Sequence, residues 1–309
     1  MITTDTLEQA ILNTVAYGDI FQYPLTEEQI HRYLIGVKST PRAVRNALRT
    51  SRRLAGSLAH YWPFYLLCGQ ENIVETRLHR ADEATRLWPK AIYYGNWIAR
   101  LPFVRMVAVT GALAMNNVDP GADIDYLIVT SPGRLWLCRG LVVALVKLAR
   151  LRGVTLCPNY LLSERALLFP DKTLYSAHEL VQMVPLYGLS VYRRMLQENR
   201  WTDQFLPNAS GQPYLPYLAA GEDGEGVSQP SKLKSLAERL LITPPGAWLE
   251  RWEMRRKITK FSLAGSSSSE TNFSADWCKG HFDRHGEKTL DSYTAHLRSF
   301  GMVEQALSK

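Results

Sequence analysis

The chain has 309 residues, of which 46% are hydrophobic and 21% are charged, and its formal net charge is +7. This composition is that of an ordinary globular protein, and the length is sufficient for two or three modules with a sizeable core. The basic balance allows a polyanionic partner but does not identify one.

The four cysteines lie far apart and show no Cys-x-x-Cys spacing. They indicate neither a cysteine zinc site nor a disulfide framework, and they fit a reducing compartment. The N-terminus lacks a basic region followed by an apolar core, and the apolar stretch 135–151 is interrupted by Arg139 and Lys147. We therefore predict a cytoplasmic protein with no secretory signal and no membrane span.

Residues 1–80 are predicted to form a winged helix-turn-helix domain. After a first amphipathic helix, Thr26 and Gln29 make a capping box for a second helix. Ser39 or Thr40 caps a third, which has Pro41 in its first turn. Alternating or apolar residues at 61–68 and 72–77 then predict a hairpin.

Arginines recur at helical spacing along the third predicted helix, at Arg42, Arg45 and Arg49. In nucleic-acid-binding winged helices this helix enters the major groove, so these residues are candidate contacts to DNA or RNA. An arginine-rich face is also typical of a solvated helix, and such domains serve in dimerisation or substrate presentation.

The segment 81–170 is predicted to be the catalytic core, built as strand, turn, strand, helix and strand. An apolar run ends at Thr110-Gly111, and a second begins with Asp123-Ile124-Asp125. Because side chains alternate along a strand, Asp123 and Asp125 share one face and form an oxygen site for Mg²⁺ or Mn²⁺. The turn lacks a Cβ at Gly111, so the backbone N–H groups of Gly111 and Ala112 are candidate phosphate donors.

This pattern resembles the nucleotidyltransferase superfamily, which has the DNA polymerase beta-like fold. The segment 18–26 also looks like one found in proteins that join a winged helix to such a domain. The resemblance implies that Thr110, Gly111 and Ala112 bind a nucleoside triphosphate while Asp123 and Asp125 hold two metal ions. It implies Mg²⁺-dependent transfer of a nucleoside monophosphate to a hydroxyl of a protein, small molecule or RNA, with release of pyrophosphate.

Members of the superfamily take a third carboxylate from a later strand, and the matching strand 155–162 has Asn159 in that place. Asn159 is neutral and cannot act as a base, so Glu164 or Asp119 are the candidate substitutes. Two alternatives follow: a catalytically degenerate regulator that senses nucleotides or binds nucleic acid, and a partner-binding module that uses neither site.

Residues 171–309 are predicted to be mainly helical, which makes the whole chain an α+β protein with a small mixed sheet at its centre. Ser176 and Glu179 suggest a capping box that opens a long helix, kinked at Pro185. Loops are expected near 208–232 and 264–274. The spacing of His281, Asp283 and His285 suits a metal site on a strand, but the ligand count favours contact with acceptor or base, or simple packing.

Overall fold

The computed structural model describes residues 4–211, 213, 232–263, 274–279 and 285–300, and in these ranges it is an α+β structure with two sheets. The helices are α1 (Thr4–Asp19), α2 (Glu27–Arg32), α3 (Pro41–Thr50), α4 (Arg52–Ser57), α5 (Ile73–Ala99), α6 (Gly111–Ala114), α7 (Leu135–Arg150), α8 (Leu174–Gln182), α9 (Leu189–Glu198), α10 (Lys232–Leu241), α11 (Pro244–Leu263) and α12 (His285–Ser299). The strands are β1 (Leu25–Thr26), β2 (Leu58–Tyr61), β3 (Phe64–Leu67), β4 (Val104–Val109), β5 (Ile124–Thr130), β6 (Leu156–Ser163), β7 (Val184–Tyr187) and β8 (Trp277–Lys279).

The central sheet has five strands in the order β7-β4-β5-β6-β8 and is mixed. Strand β4 is antiparallel to β5 and β7, β5 is parallel to β6, and β8 is antiparallel to β6. The parallel pair β5 and β6 is joined through α7, as a crossover connection requires. Its three middle strands and α7 lie where the sequence predicts them.

Both faces of this sheet are covered, which explains the nearly continuous apolar runs of β4 and β5. Met106 and Leu127 face a core shared with the N-terminal helices and α8, whereas Val107 and Ile128 face a second core under α5 and α7. The alternation follows from the period of two along a strand. The N-terminal helices therefore complete the core of the central sheet.

The N-terminal segment contains α1 to α4 and a three-stranded antiparallel sheet in the order β1-β3-β2. The capping box of Thr26 and Gln29 is confirmed, and Thr40 caps α3 with Pro41 at its start. The hairpin, however, is formed by β2 and β3, and α5 begins at Ile73, within the predicted second strand 72–77.

The second hairpin strand was wrongly predicted, because the spacing of Ile73 and Arg77 fits one face of a helix as well as it fits a strand. They are four residues apart, both are buried, and α5 continues from them to Ala99. This helix spans the predicted boundary between residues 80 and 81, so the two segments are joined by continuous helix.

Helix α8 differs from the prediction at both ends. Thr173 caps it, since its side chain accepts a hydrogen bond from the Ser176 N–H, so Ser176 and Glu179 do not form the capping box. The helix ends at Gln182, and Pro185 lies in β7 rather than in a kinked helix. Proline is tolerated there because β7 is an edge strand, which pairs with a neighbour on one side only, so an N–H that faces away from that neighbour is not needed.

The rest of the C-terminal region is helical where it is described, in α9 to α12. His285 begins α12 rather than a strand, and His281 and Asp283 lie outside the described residues. Most of the two predicted loops, 208–232 and 264–274, also lies outside them. In the part of the chain that is described, no helix combines the length and the apolar character needed to cross a membrane.

Candidate functional site

The two aspartates stand at the start of β5, the strand at the centre of the sheet. Asp123 immediately precedes the strand and is exposed, and Asp125 is the second residue of the strand. Ile124 lies between them and is fully buried. The N–H of Thr110 donates to the backbone oxygen of Asp125 at 3.0 Å. This bond brings the turn after β4 directly against the aspartate pair.

Gly111 makes the closest approach of that turn to the site. Its φ is +63°, and a Cβ built on it would lie 2.5 Å from Oδ2 of Asp125. Glycine is therefore required both by the left-handed backbone and by the space that the carboxylate occupies. Thr110 beside it is buried, and its hydroxyl has no hydrogen-bond partner among the described residues, whereas Ala112 is exposed.

Strand β6 brings Asn159 to Asp125, so the structure places these two predicted site residues together. Asn159 Nδ2 donates to Oδ1 of Asp125 at 2.6 Å, and the Cys157 thiol donates to Asn159 Oδ1 at 2.8 Å. The pairing of β5 with β6 shifts by one residue at Asn159, between Pro158 and Tyr160. Such irregularities re-aim side chains, and Pro158 supplies no ladder donor there.

Three side chains at this place could hold a metal ion. Ligand atoms of Asp123, Asp125 and Cys157 all lie within 4.8 Å of one another. The two carboxylates suit Mg²⁺, which binds proteins through one or two carboxylates and completes its coordination with water and phosphate oxygens. Cys157 was not predicted from the sequence, and its sulfur is a ligand for softer ions instead.

The charge of Asp125 is costly in this setting. Burial, reinforced by the negative charges of Asp123 and Glu179, raises the pKa of Asp125 to about 7, although the hydrogen bond from Asn159 opposes the shift. Burial and the negative charges of Asp125 and Asp123 raise the pKa of the Cys157 thiol to about 12. A bound cation would reverse both effects, because it stabilises the ionised ligands.

Glu179 of α8 is the third carboxylate near Asp125, and sequence reasoning missed it. Burial is the main cause of the raised pKa values of Asp125 and Tyr17, and the negative charge of Glu179 adds to both shifts. Glu179 lines one cavity together with Tyr17 and Gly111. No local pattern reveals this, because the packing of α8 on the sheet alone brings it there.

The two substitutes suggested by the sequence are engaged elsewhere. Glu164 follows the opposite end of β6 and forms an ion pair with Arg194 at 3.3 Å, and Asp119 forms one with Arg80 at 2.8 Å.

The three arginines of α3 are exposed and belong to a different surface. Arg45 forms an ion pair with Glu27 of α2. Arg49 lines a cavity of about 520 Å³ on the N-terminal segment, together with Glu27, and this cavity contains none of the residues of the aspartate site. The structure therefore does not bring Arg42, Arg45 or Arg49 to the aspartate pair.

Compared with known proteins, the chain matches no family model, no curated protein and no solved structure at a significant level. Its function is therefore argued from the geometry of the site.

Replacement of Gly111 by alanine is expected to damage the site, and Gly121→Ala is the matched control. Both glycines have positive φ, at +63° and +79°, but a Cβ at Gly121 would meet no atom within 4 Å. Each change should cost about 1–2 kcal/mol of backbone strain, measured by urea unfolding. Only Gly111→Ala should also weaken Mn²⁺ binding in calorimetry, by about tenfold. Equal Mn²⁺ affinities in the two variants would contradict this account of Gly111.

The raised pKa of Asp125 predicts a pH-dependent stability. Between the unfolded value near 4 and the folded value of about 7, the folded protein holds a proton that the unfolded chain has lost. The unfolding free energy should therefore fall as pH rises through this interval, by on the order of 2 kcal/mol.

The test compares urea unfolding at pH 5 and pH 8. Asp125→Asn should lose this contribution to the pH dependence, whereas Asp119→Asn, which changes an exposed and ion-paired aspartate, should keep it. At pH 8, Mg²⁺ should raise the unfolding free energy of the wild-type protein back toward its value at pH 5. A wild-type profile identical to that of Asp125→Asn would refute the assignment.

Proposed function

We propose that the chain is a nucleotidyltransferase with a DNA polymerase beta-like core and an N-terminal winged helix-turn-helix. In this proposal it moves a nucleoside monophosphate from a nucleoside triphosphate to a hydroxyl acceptor, and its activity depends on Mg²⁺ or Mn²⁺. The observation that carries the proposal is the contact of the Gly111 backbone with the carboxylate of Asp125, at the start of a strand that also presents Asp123.

The residues present fit a divalent metal. Asp123 and Asp125 would hold it, and the bound ion would supply positive charge to the triphosphate and the attacking oxygen. The first N–H groups of a helix have no partner within the helix, so those of Gly111 and Ala112, which begin α6, would donate to the phosphates.

Asn159 and Glu179 divide the tasks that the superfamily resemblance gives to one carboxylate. Asn159 donates to Asp125, so it orients that carboxylate and favours its ionised form. Glu179 lines the cavity that Gly111 also lines, and its carboxylate would accept the proton of the acceptor hydroxyl. The acceptor oxygen would then attack the α-phosphorus, the bond between the α- and β-phosphates would break, and pyrophosphate would leave.

The test is transfer of label from triphosphates labelled at the α-phosphate, in the presence of Mg²⁺, to components of a cell extract. Label at the γ-phosphate should not transfer, because it leaves with pyrophosphate. Asp125→Asn should lower the rate by at least about 100-fold, whereas Asp119→Asn should leave it unchanged. Glu179→Gln should lower the rate by about 100-fold or more with triphosphate binding retained, as expected for loss of a general base.

Two outcomes would contradict this function in different ways. If the wild-type protein binds no triphosphate in the presence of Mg²⁺, the site does not bind nucleotides. If it binds triphosphate in a manner that depends on Asp125 but transfers no label, the alternative of a degenerate nucleotide-sensing regulator is favoured.

The exposed arginines favour nucleic acid as a second ligand, through the proposed winged helix. Arg42 and Arg49 lie on α3 and form no ion pair with any described residue. We expect salt-sensitive binding to duplex DNA or RNA, and Arg42→Ala with Arg49→Ala should reduce the slope of log affinity against log salt by about 2. Lys147→Ala with Arg150→Ala removes the same charge from α7 and should not change the slope. Equal slopes in both double variants would refute this contact.

A further inference from the structure

A cavity of about 230 Å³ lies where α1, the turn after β4 and α8 meet. Its wall is largely aromatic, and the rings come from the N-terminal segment and from α8. They are Tyr17, Phe21, Tyr23, Tyr33, Tyr175 and His178. Nothing in the proposed transfer mechanism uses these rings.

The rings form a preorganised stacking surface. Tyr17 and His178 are stacked with their centroids 4.3 Å apart and an interplanar angle of 11°, and Phe21 is tilted against Tyr17 at 5.5 Å. Complete burial lowers the pKa of His178 to about 3, so its imidazole is neutral. The Arg77 guanidinium lies 4.1 Å from the centroid of Tyr23 and supports that ring.

Most polar groups of the wall are already satisfied. The Tyr23 hydroxyl donates to the backbone oxygen of Met115 and accepts hydrogen bonds from Gln29 and Arg77. The Thr14 hydroxyl donates to a backbone oxygen and accepts from another backbone N–H. Among the described residues, His178 Nε2 and Asn117 Oδ1 of the wall are buried without a hydrogen-bond partner. The wall therefore offers a ligand the faces of its rings and these two polar atoms.

The same cavity reaches the candidate phosphate turn. Gly111 and Ala112 line it, and so does Glu179, whose charge acts on Asp125. A molecule that places a planar ring among the aromatic residues would have its other end at Gly111 and the aspartate pair. A nucleoside triphosphate has this form, with a flat base and a chain of phosphates.

We infer that this cavity binds the base of the nucleoside triphosphate, which stacks on the ring of Phe21 and its aromatic neighbours. The inference rests on the proposed nucleotidyltransferase function. Because stacking uses a surface that every base possesses, the cavity accepts all four bases and favours purines, which offer the larger face.

Phe21 is the residue to change, because it is 38% exposed and its backbone oxygen, not its side chain, accepts hydrogen bonds from Arg80 and Asn117. Truncation of the side chain leaves those bonds in place. Tyr93→Ala is the matched control, since Tyr93 is an aromatic residue of α5 that is 48% exposed and does not line the cavity.

The experiment measures calorimetric affinities for Mg²⁺-ATP, Mg²⁺-UTP and Mg²⁺-tripolyphosphate, the last of which has phosphates but no base. Phe21→Ala should weaken ATP binding by about tenfold and UTP binding by less, with tripolyphosphate unchanged. Phe21→Trp should bind ATP about as tightly as the wild-type protein, and Tyr93→Ala should bind all three ligands as the wild-type protein does.

Equal ATP affinity in the wild-type protein and Phe21→Ala would overturn the base site while the proposed transferase function stands. Unchanged ATP affinity together with a higher KM for the acceptor would also overturn it, because the cavity would then hold the acceptor. Failure of the wild-type protein to bind any of the three ligands would overturn the proposed function itself.

Discussion

The candidate site depends on one close approach, that of the Gly111 backbone to the carboxylate of Asp125. The hydrogen bond from the Thr110 N–H to the Asp125 backbone oxygen holds the end of β4 against the start of β5, and only a residue without a Cβ fits there. Asp125 is largely buried beside this contact, and its burial raises the energetic cost of the aspartate charge. A bound cation would offset that cost, and metal binding would then stabilise the folded site.

The N-terminal segment is part of this site rather than an appendage. Its helices share one continuous core with a face of the central sheet, and the aromatic cavity exists only because α1 lies across from α8. Removal of the segment would expose the apolar face of β4 and β5 as well as the rings of Tyr17 and Phe21. A contact of α3 with nucleic acid would therefore act on a rigidly attached unit, through the same core that positions the cavity.

The sequence predicted those parts of the protein that depend on neighbouring residues. Alternation and turn chemistry indicate β4, β5, β6 and α7, as well as the shared face of Asp123 and Asp125. The errors arose where contacts with residues distant in sequence determine the secondary structure. The local sequence around Pro185 predicts a kinked helix, but pairing with β4 makes this segment a strand. Ile73 fits either a strand or one face of a helix. No sequence pattern around Glu179 predicts that it lies near Asp125, because this follows from the position of α8 on the sheet.

Electrostatics favours an amide over a carboxylate at position 159, beside Asp125. Asp125 already faces the charges of Asp123 and Glu179 at a buried position, and a fourth carboxylate on β6 would raise the cost of ionising it further. Asn159 instead donates a hydrogen bond at 2.6 Å and lowers that cost. In the proposed function, Glu179 of α8 would be the general base, and it lines the same cavity as Gly111. A carboxylate on α8 in place of one on β6 would keep the group that accepts the proton apart from the groups that hold the metal ion.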